Sequence, residues 1–187
     1  MKHLILPLVM AMMGAPVLAS ECPTPPDHSE SLNMLIAQVQ NAPDEHSARL
    51  IFNDMWSYWA DAPDEIAQGI LDQGMQKRAA WDLLGAREDF DTLVAYCPHY
   101  AEGFNQRAFV NFLRQDYVAA LPDLERAIDL SPRHIGALSG RAMALIGLGR
   151  DAEAQDALAE VLELNPWLPE RGLLKAPPSM QNPGEEL

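Results

Sequence analysis

Basic side chains are scarce in this chain of 187 residues: 13 Lys and Arg stand against 27 Asp and Glu, for a formal charge of −14. A balance this acidic repels the phosphates of nucleic acid and of anionic lipid, so neither is an expected partner. Long apolar runs are missing beyond the first twenty residues, and nothing there approaches the roughly 20 residues a helix needs to cross a bilayer. Cysteine occurs only as Cys22 and Cys97, with no Cys-x-x-Cys arrangement to lower a thiol pKa for redox work. Chemistry-bearing patterns are absent too. His28, His46, His99 and His134 lack a metal-ligand spacing such as His-Glu-x-x-His, and there is neither a Gly-rich phosphate loop nor a nucleophile elbow. Asp27, His28 and His46 could meet as a weak metal site across the N-terminal segment, but histidines among surface acids are common without a metal. His99 and His134, which follow Pro98 and Pro132, are expected in exposed turns. No catalytic residue, cofactor or metal is therefore expected, and the chain is not expected to be an enzyme.

What the chain does have begins with its first residues. Met1-Lys2-His3, the apolar run from Leu4 to Val17 and then Leu18-Ala19-Ser20 have the three-part form of a secretory leader, with cleavage expected after Ala19. A lipid anchor is not expected, because Glu21 rather than a small residue precedes Cys22. Loss of Lys2 with the leader takes the basic total from 13 to 12 and the formal charge from −14 to −15. In an oxidising compartment the even pair Cys22 and Cys97 reads as one disulfide, stapling an N-terminal strap to the body of the chain.

A spaced pattern recurs three times at an offset of 34 residues. Small residues stand at Gly74, Ala108 and Ala142 and again at Ala86, Ala120 and Ala154. Phe90, Leu124 and Leu158 keep register, as do Leu93, Ala127 and Val161, and Pro98, Pro132 and Pro166 close the units. Each unit reads as two helices: Phe104, Ala108, Asn111 and Phe112 fall at helical spacing, then Ala120, Leu124, Ala127 and Ile128. Where Ala108 crosses Ala120, only methyl groups separate the backbones, so the helices approach closely and larger neighbours interlock around them. Asp116 and Asp151 are placed to cap the second helices, and Gly147 and Gly149 to permit the turn before the last one. Pro122 should kink its helix or delay its start. Arg107 and Arg141 are expected to pair with Asp123 and Asp156.

This period, with this order of small, small, aromatic and proline positions, resembles the tetratricopeptide repeat (TPR) family over roughly Ala67 to Leu168. The resemblance implies an all-α fold, a right-handed α-solenoid of about three TPR helix pairs preceded by an N-terminal helical pair. The expected divisions are a leader at 1–19, a strap and helical pair at 20–63, and repeats within 64–168 at about 67–100, 101–134 and 135–168. A short cap and a disordered acidic tail with Glu185 and Glu186 would follow at 169–187. Upstream, Asp27-His28-Ser29-Glu30 resembles a capped start for a helix from Leu32 to Gln40. Ala42-Pro43-Asp44-Glu45 and Ala62-Pro63-Asp64-Glu65 start two more, with proline in the first turn. Ala48, Ile51, Phe52, Met55 and Trp59 form an apolar stripe along the first of these. The N-terminal pair is expected to be a degenerate repeat covering the exposed apolar start of the array, with Trp167, Leu168, Leu173 and Leu174 covering its end.

In a TPR solenoid the first helices of successive units line a concave groove. Here the resemblance points to Leu71, Met75 and Arg78, then Asn105, Phe109 and Phe112, then Ser139, Met143 and Ile146. That set suits an extended peptide or amphipathic helix with aliphatic anchors. The lysine and asparagine clamp with which some TPR proteins hold a C-terminal carboxylate is not expected, because Leu71, Met75 and Phe109 occupy its places. The implied role is a periplasmic adaptor of a Gram-negative cell, binding a segment of another envelope protein, with no membrane insertion after leader cleavage. The alternative is a structural or assembly component acting through its outer surface or by self-association; the oligomeric state is left open.

Overall fold

The computed structural model describes residues 21–175, so the expected leader and the expected disordered tail beyond Lys175 lie outside the described residues. Among the described residues eight α-helices run in sequence: α1 (Ser29–Gln40), α2 (Glu45–Trp59), α3 (Glu65–Ala79), α4 (Leu83–Tyr96), α5 (Ala101–Leu113), α6 (Tyr117–Leu130), α7 (Ile135–Gly147) and α8 (Asp151–Leu164). A 3₁₀ turn, Pro169–Leu173, follows, and no strand occurs among the described residues. Helices α3 and α4, α5 and α6, and α7 and α8 form three stacked pairs, each pair packing on the next to build an all-α solenoid.

Short polar side chains set the helix starts. The carboxylates of Asp44, Asp64, Asp82 and Asp116 accept hydrogen bonds from the amides of Ser47, Ala67, Gly85 and Ala119 at 2.8–3.2 Å, satisfying amides that have no intrahelical partner. These bonds hold the carboxyls of Asp44 and Asp64 below the usual range. Pro43 and Pro63 lie just outside the helices rather than in their first turns, because the extended Asp behind each serves as the cap. Asp151 does not cap. The cap position of α8 is Arg150, and Asp151 is already helical, its charge complementing the dipole instead.

The link within each pair repeats at 34-residue spacing. Trp81, Gln115 and Gly149 take positive φ of 64°, 61° and 70°, and the amides of Asp82, Asp116 and Arg150 reach back to the carbonyls of Lys77, Asn111 and Leu145. This is the Schellman closure, whose left-handed position glycine fills at least cost. Only Gly149 follows that preference. Gly147 serves packing instead: a Cβ there would fall 2.6 Å from the Tyr117 ring.

The helices meet at small residues. A Cβ at Gly74 would stand 2.5 Å from the ring of fully buried Phe90, and one at Gly140 would stand 2.8 Å from Leu124. Ala108 and Ala120 are both fully buried in one cluster with Leu124 and Ala127. Arg107 grips Asp123 in a fork, Nε to Oδ2 at 2.8 Å and Nη2 to Oδ1 at 2.6 Å, and reaches Asp91 at 2.9 Å. The bonds to Asp123 raise its pKa further. Arg141 pairs with Glu160 rather than Asp156, because one helical turn further along α8 lies within its reach. Pro122 is accommodated within α6, which starts at Tyr117 without delay.

The N-terminal hairpin is where the expected arrangement fails. It does not cover the start of the array. Its apolar stripe, with Ile36, Val39, Met55 and Trp59, packs on the last repeat, against Ile135, Leu138, Val161 and Leu168. Polar ties follow the same path: Gln40 Nε2 donates to the Glu163 carbonyl at 2.7 Å, Arg133 meets Asn33, and Arg171 meets Glu45 at 2.8 Å. The reason lies in matching surfaces, since Phe52, Trp56 and Trp59 need a broad apolar partner, which the start of α7 and the end of α8 supply. Trp167 and Leu168 join this cluster, whereas Leu173 and Leu174 stay exposed.

Cys22 and Cys97 form a disulfide across 75 residues, fastening the strap to the end of α4. The chain-entropy account assigns such a loop about 4 kcal/mol. Ala120→Leu, which forces three further heavy atoms into a sealed helix crossing, is expected to cost about 1 to 3 kcal/mol in chemical denaturation. A midpoint unchanged from wild type would show that the crossing is not tightly packed.

Candidate functional site

Docked on the last repeat, α2 crosses beside the concave side of the stack and turns an open groove into a cavity of about 560 Å³. Phe52 and Trp56 of α2 and Ala60 just beyond its end form one wall, and Leu168, Pro169 and Glu170 another. The remainder comes from the first helices of the three repeats, α3, α5 and α7, with Leu124 from α6. Its volume lies within the range of sites that enclose a small ligand or a few side chains, well short of a whole docked helix.

Of the nine residues expected to face the groove, Met75, Arg78, Asn105, Phe109, Phe112, Ser139 and Met143 line the cavity. Leu71 does not; it is fully buried between α3 and α4, in contact with the cluster around Phe90. Ile146 packs on the cluster of Leu145 and Leu158, beyond the cavity's reach. Both sit one helical step off the concave face, a rotation too small for spacing alone to resolve. Phe109 stays 43% exposed, with the Arg78 guanidinium 4.9 Å above its ring centre.

Beneath the apolar walls lies a polar bed. Glu102 is 1% exposed, yet its carboxylate is well served: Oε2 accepts from Asn105 Nδ2 at 3.0 Å and from His134 Nε2 at 2.8 Å, and Oε1 accepts from Gln106. Gln106 in turn accepts from Arg78. A buried carboxylate is tolerated when donors replace its lost water, and three do so here. Burial lowers the Arg78 pKa while Glu102 opposes that shift, and burial pushes the Tyr100 hydroxyl far above its ordinary range.

His134 is completely buried rather than in an exposed turn, whereas His99 is exposed as expected. The amide of Ala137 donates to its Nδ1 at 3.2 Å, so that nitrogen carries the lone pair and Nε2 carries the proton given to Glu102. One ring thus caps α7 and holds the carboxylate by a hydrogen bond. Trp59 stacks on the same ring, centroids 4.3 Å apart and planes 15° apart, and its carbonyl accepts from the Tyr100 hydroxyl at 2.8 Å. Glu102, Gln106 and His134 escaped the sequence reading; polar residues inside a repeat's first helix carry no periodic signal. The cue available was Glu102 standing four residues before Gln106, a spacing that lets one side chain hold the other.

Asp27, His28 and His46 are not brought together: His28 Nε2 bonds Asp61 at 2.7 Å and His46 faces Arg49 at 3.1 Å. Among the described residues no group of three or more His, Cys, Asp or Glu is placed to hold a metal ion.

The tetratricopeptide repeat profile matches residues 112–176. A TPR repeat-containing protein of Rhizobium etli is 30% identical over 143 residues, covering 73% of this chain and 67% of that protein. The chain belongs to the tetratricopeptide repeat family. Among solved TPR structures, the second TPR domain of human RPAP3, in complex with the HSP70 peptide SGPTIEEVD, is 25% identical with a TM-score of 0.55. The match covers 57% of this chain and 89% of that one. The first TPR of Spaghetti (RPAP3), bound to the HSP90 peptide SRMEEVD, superposes with a TM-score of 0.56 at 22% identity over 57% of this chain and 85% of that one. In this TPR chain the N-terminal hairpin stands beside the concave side and supplies one wall of the cavity.

His134→Ala removes a helix cap, one donor to a buried carboxylate and the ring under Trp59. A loss of about 2 to 4 kcal/mol is expected from these terms together, with amide exchange in α2 rising more than in α4. Equal acceleration in both helices would show that His134 does not fasten the hairpin.

Proposed function

We propose that this protein is an exported, periplasmic interaction module that captures a segment of another envelope protein in the concave cavity, with no covalent step. The observation that carries the reading is the cavity itself, an apolar recess with Phe109 open to solvent and a fixed polar bed of Arg78, Asn105 and Glu102. Fixed hydrogen-bonding groups among apolar walls orient a ligand and exclude poor fits. TPR domains solved with HSP70 and HSP90 peptides make a polypeptide the natural occupant class for this fold. The closed walls favour a short segment with one or two anchors over a full amphipathic helix. The leader at 1–19 supports export, and a disulfide between Cys22 and Cys97 fits an oxidising compartment.

A second reading, assembly through the outer surface, draws on one specific observation. Trp81, Leu84 and Val118 are large, apolar and well exposed along the turns that join helices within the first two repeats, and Trp81 holds a left-handed φ that a bulky residue rarely adopts. Sedimentation at increasing concentration separates the two readings, since self-association would raise the sedimentation rate of the purified chain.

Phe109→Glu places a charge on the open apolar wall. Crosslinking in cells from a photoreactive group at Met143 is expected to yield one envelope-protein adduct that disappears in Phe109→Glu, while helical content stays at the wild-type level. Persistence of that adduct would remove the cavity from the binding site.

A further inference from the structure

Building on the cavity reading above, we propose that the captured segment carries a lysine or arginine beside its apolar anchor, and that Glu170 receives the cation. Glu170 lines the cavity from the 3₁₀ turn that follows α8. Its Oε1 accepts from Ser139 Oγ at 3.0 Å, but its Oε2 is buried and has no hydrogen-bond partner among the described residues. A buried carboxylate oxygen without a donor is costly, and such a group calls for a donor from a ligand, an ion or a water.

The charges lining the cavity point the same way. Among the described residues lining it, only Arg78, Glu102 and Glu170 are ionisable. Glu102 already has three donors, and Arg78 is committed to Gln106 and to the face of Phe109. Two carboxylates against one guanidinium leave the recess with an excess negative charge, and Glu170 holds the open position. A chain of formal charge −14 steers basic segments towards it from a distance. The walls suit the rest of a basic side chain, since the methylene stem of a lysine or arginine packs along apolar surface while its head seeks an acceptor. Trp56 also lines the wall, and an indole is a ring on which a cation can rest. An acidic occupant, including this chain's own segment 176–187 with Glu185 and Glu186, would bring like charge to Glu170.

The test uses the full chain after leader removal. Random ten-residue peptides are selected on it, and the best is made with an amidated end and titrated by tryptophan fluorescence. Selected sequences are expected to carry Lys or Arg next to Leu, Met or Phe. Replacing that basic residue by Gln in the peptide, or making Glu170→Gln in the protein, is expected to weaken binding about tenfold or more. The two changes combined should cost little beyond either alone, because they remove the same contact. Neutral or acidic selected sequences, independent effects of the two changes, or displacement by a peptide of residues 176–187 would each overturn the proposal. Those results would leave capture in the cavity standing provided Phe109→Glu still abolishes binding. Failure to select any peptide, or undiminished binding by Phe109→Glu, would overturn both.

Discussion

The stack of Trp59 on His134, whose Nε2 holds the buried Glu102 carboxylate, is the interaction on which the rest of the molecule turns. Three elements distant in the chain converge on it: the end of α2, the start of α5 and the start of α7. Glu102 is stable there only because Asn105, Gln106 and His134 donate to it, and His134 is aimed only because Ala137 fixes its other nitrogen. A polar cluster of this kind is worth little net energy when intact and costs much when one member is lost. Its effect is to set the angle at which the N-terminal hairpin docks. Apolar contact with Ile135 and Leu138 supplies the area of that docking, and the hydrogen bonds supply its register.

The repeat was legible in the sequence because each unit solves one local problem in the same way. Gly74, Ala108 and Ala142 recur since two helices must cross at close range every 34 residues, and Phe90 fills the space that Gly74 leaves. The partner chosen by Arg107 was legible for the same reason, Asp123 lying on the helix that must pack beside it. The hairpin's destination was not. Trp59 and Ile135 are 76 positions apart, and periodicity within a segment states that an apolar stripe exists without stating which surface it meets. His134 was misplaced because a histidine in the short link after Pro132 reads as a turn residue, whereas the position two residues after each closing proline, Tyr100, His134 and Leu168, is buried, and Trp59 stacks on the His134 ring. Leu71 failed for a subtler reason. A groove-facing and a core-facing position differ by one helical step, and buried Leu71 falls on the core side while Met75, four residues on, falls on the cavity side.

The cavity's fixed walls also change what recognition can mean for this fold. An open solenoid groove reads a long partner through many weak contacts along its length. Once Phe52 and Trp56 stand on one side and Leu168 on the other, the accessible length shortens and the remaining contacts must discriminate more sharply. A partly enclosed recess lowers the effective dielectric around Arg78 and Glu170, so each polar contact there discriminates better than it would on a surface.

Such sharpness depends on the hairpin staying in place, and the disulfide bears on that directly. Cys22 precedes α1 and Cys97 directly precedes the turn into α5, so the bond anchors the strap within a few residues of Tyr100, whose hydroxyl holds the Trp59 carbonyl. The strap and the end of α2 are therefore pinned to the same short stretch, from Cys97 to Glu102, and α1 and α2 form a loop fastened at both ends. A loop held in this way has fewer undocked arrangements available to it, which favours the docked one without any contact being added. The wall that α2 contributes is in this sense set by covalent structure at one end and by a buried carboxylate at the other, with the aromatic stripe on α2 filling the span between them.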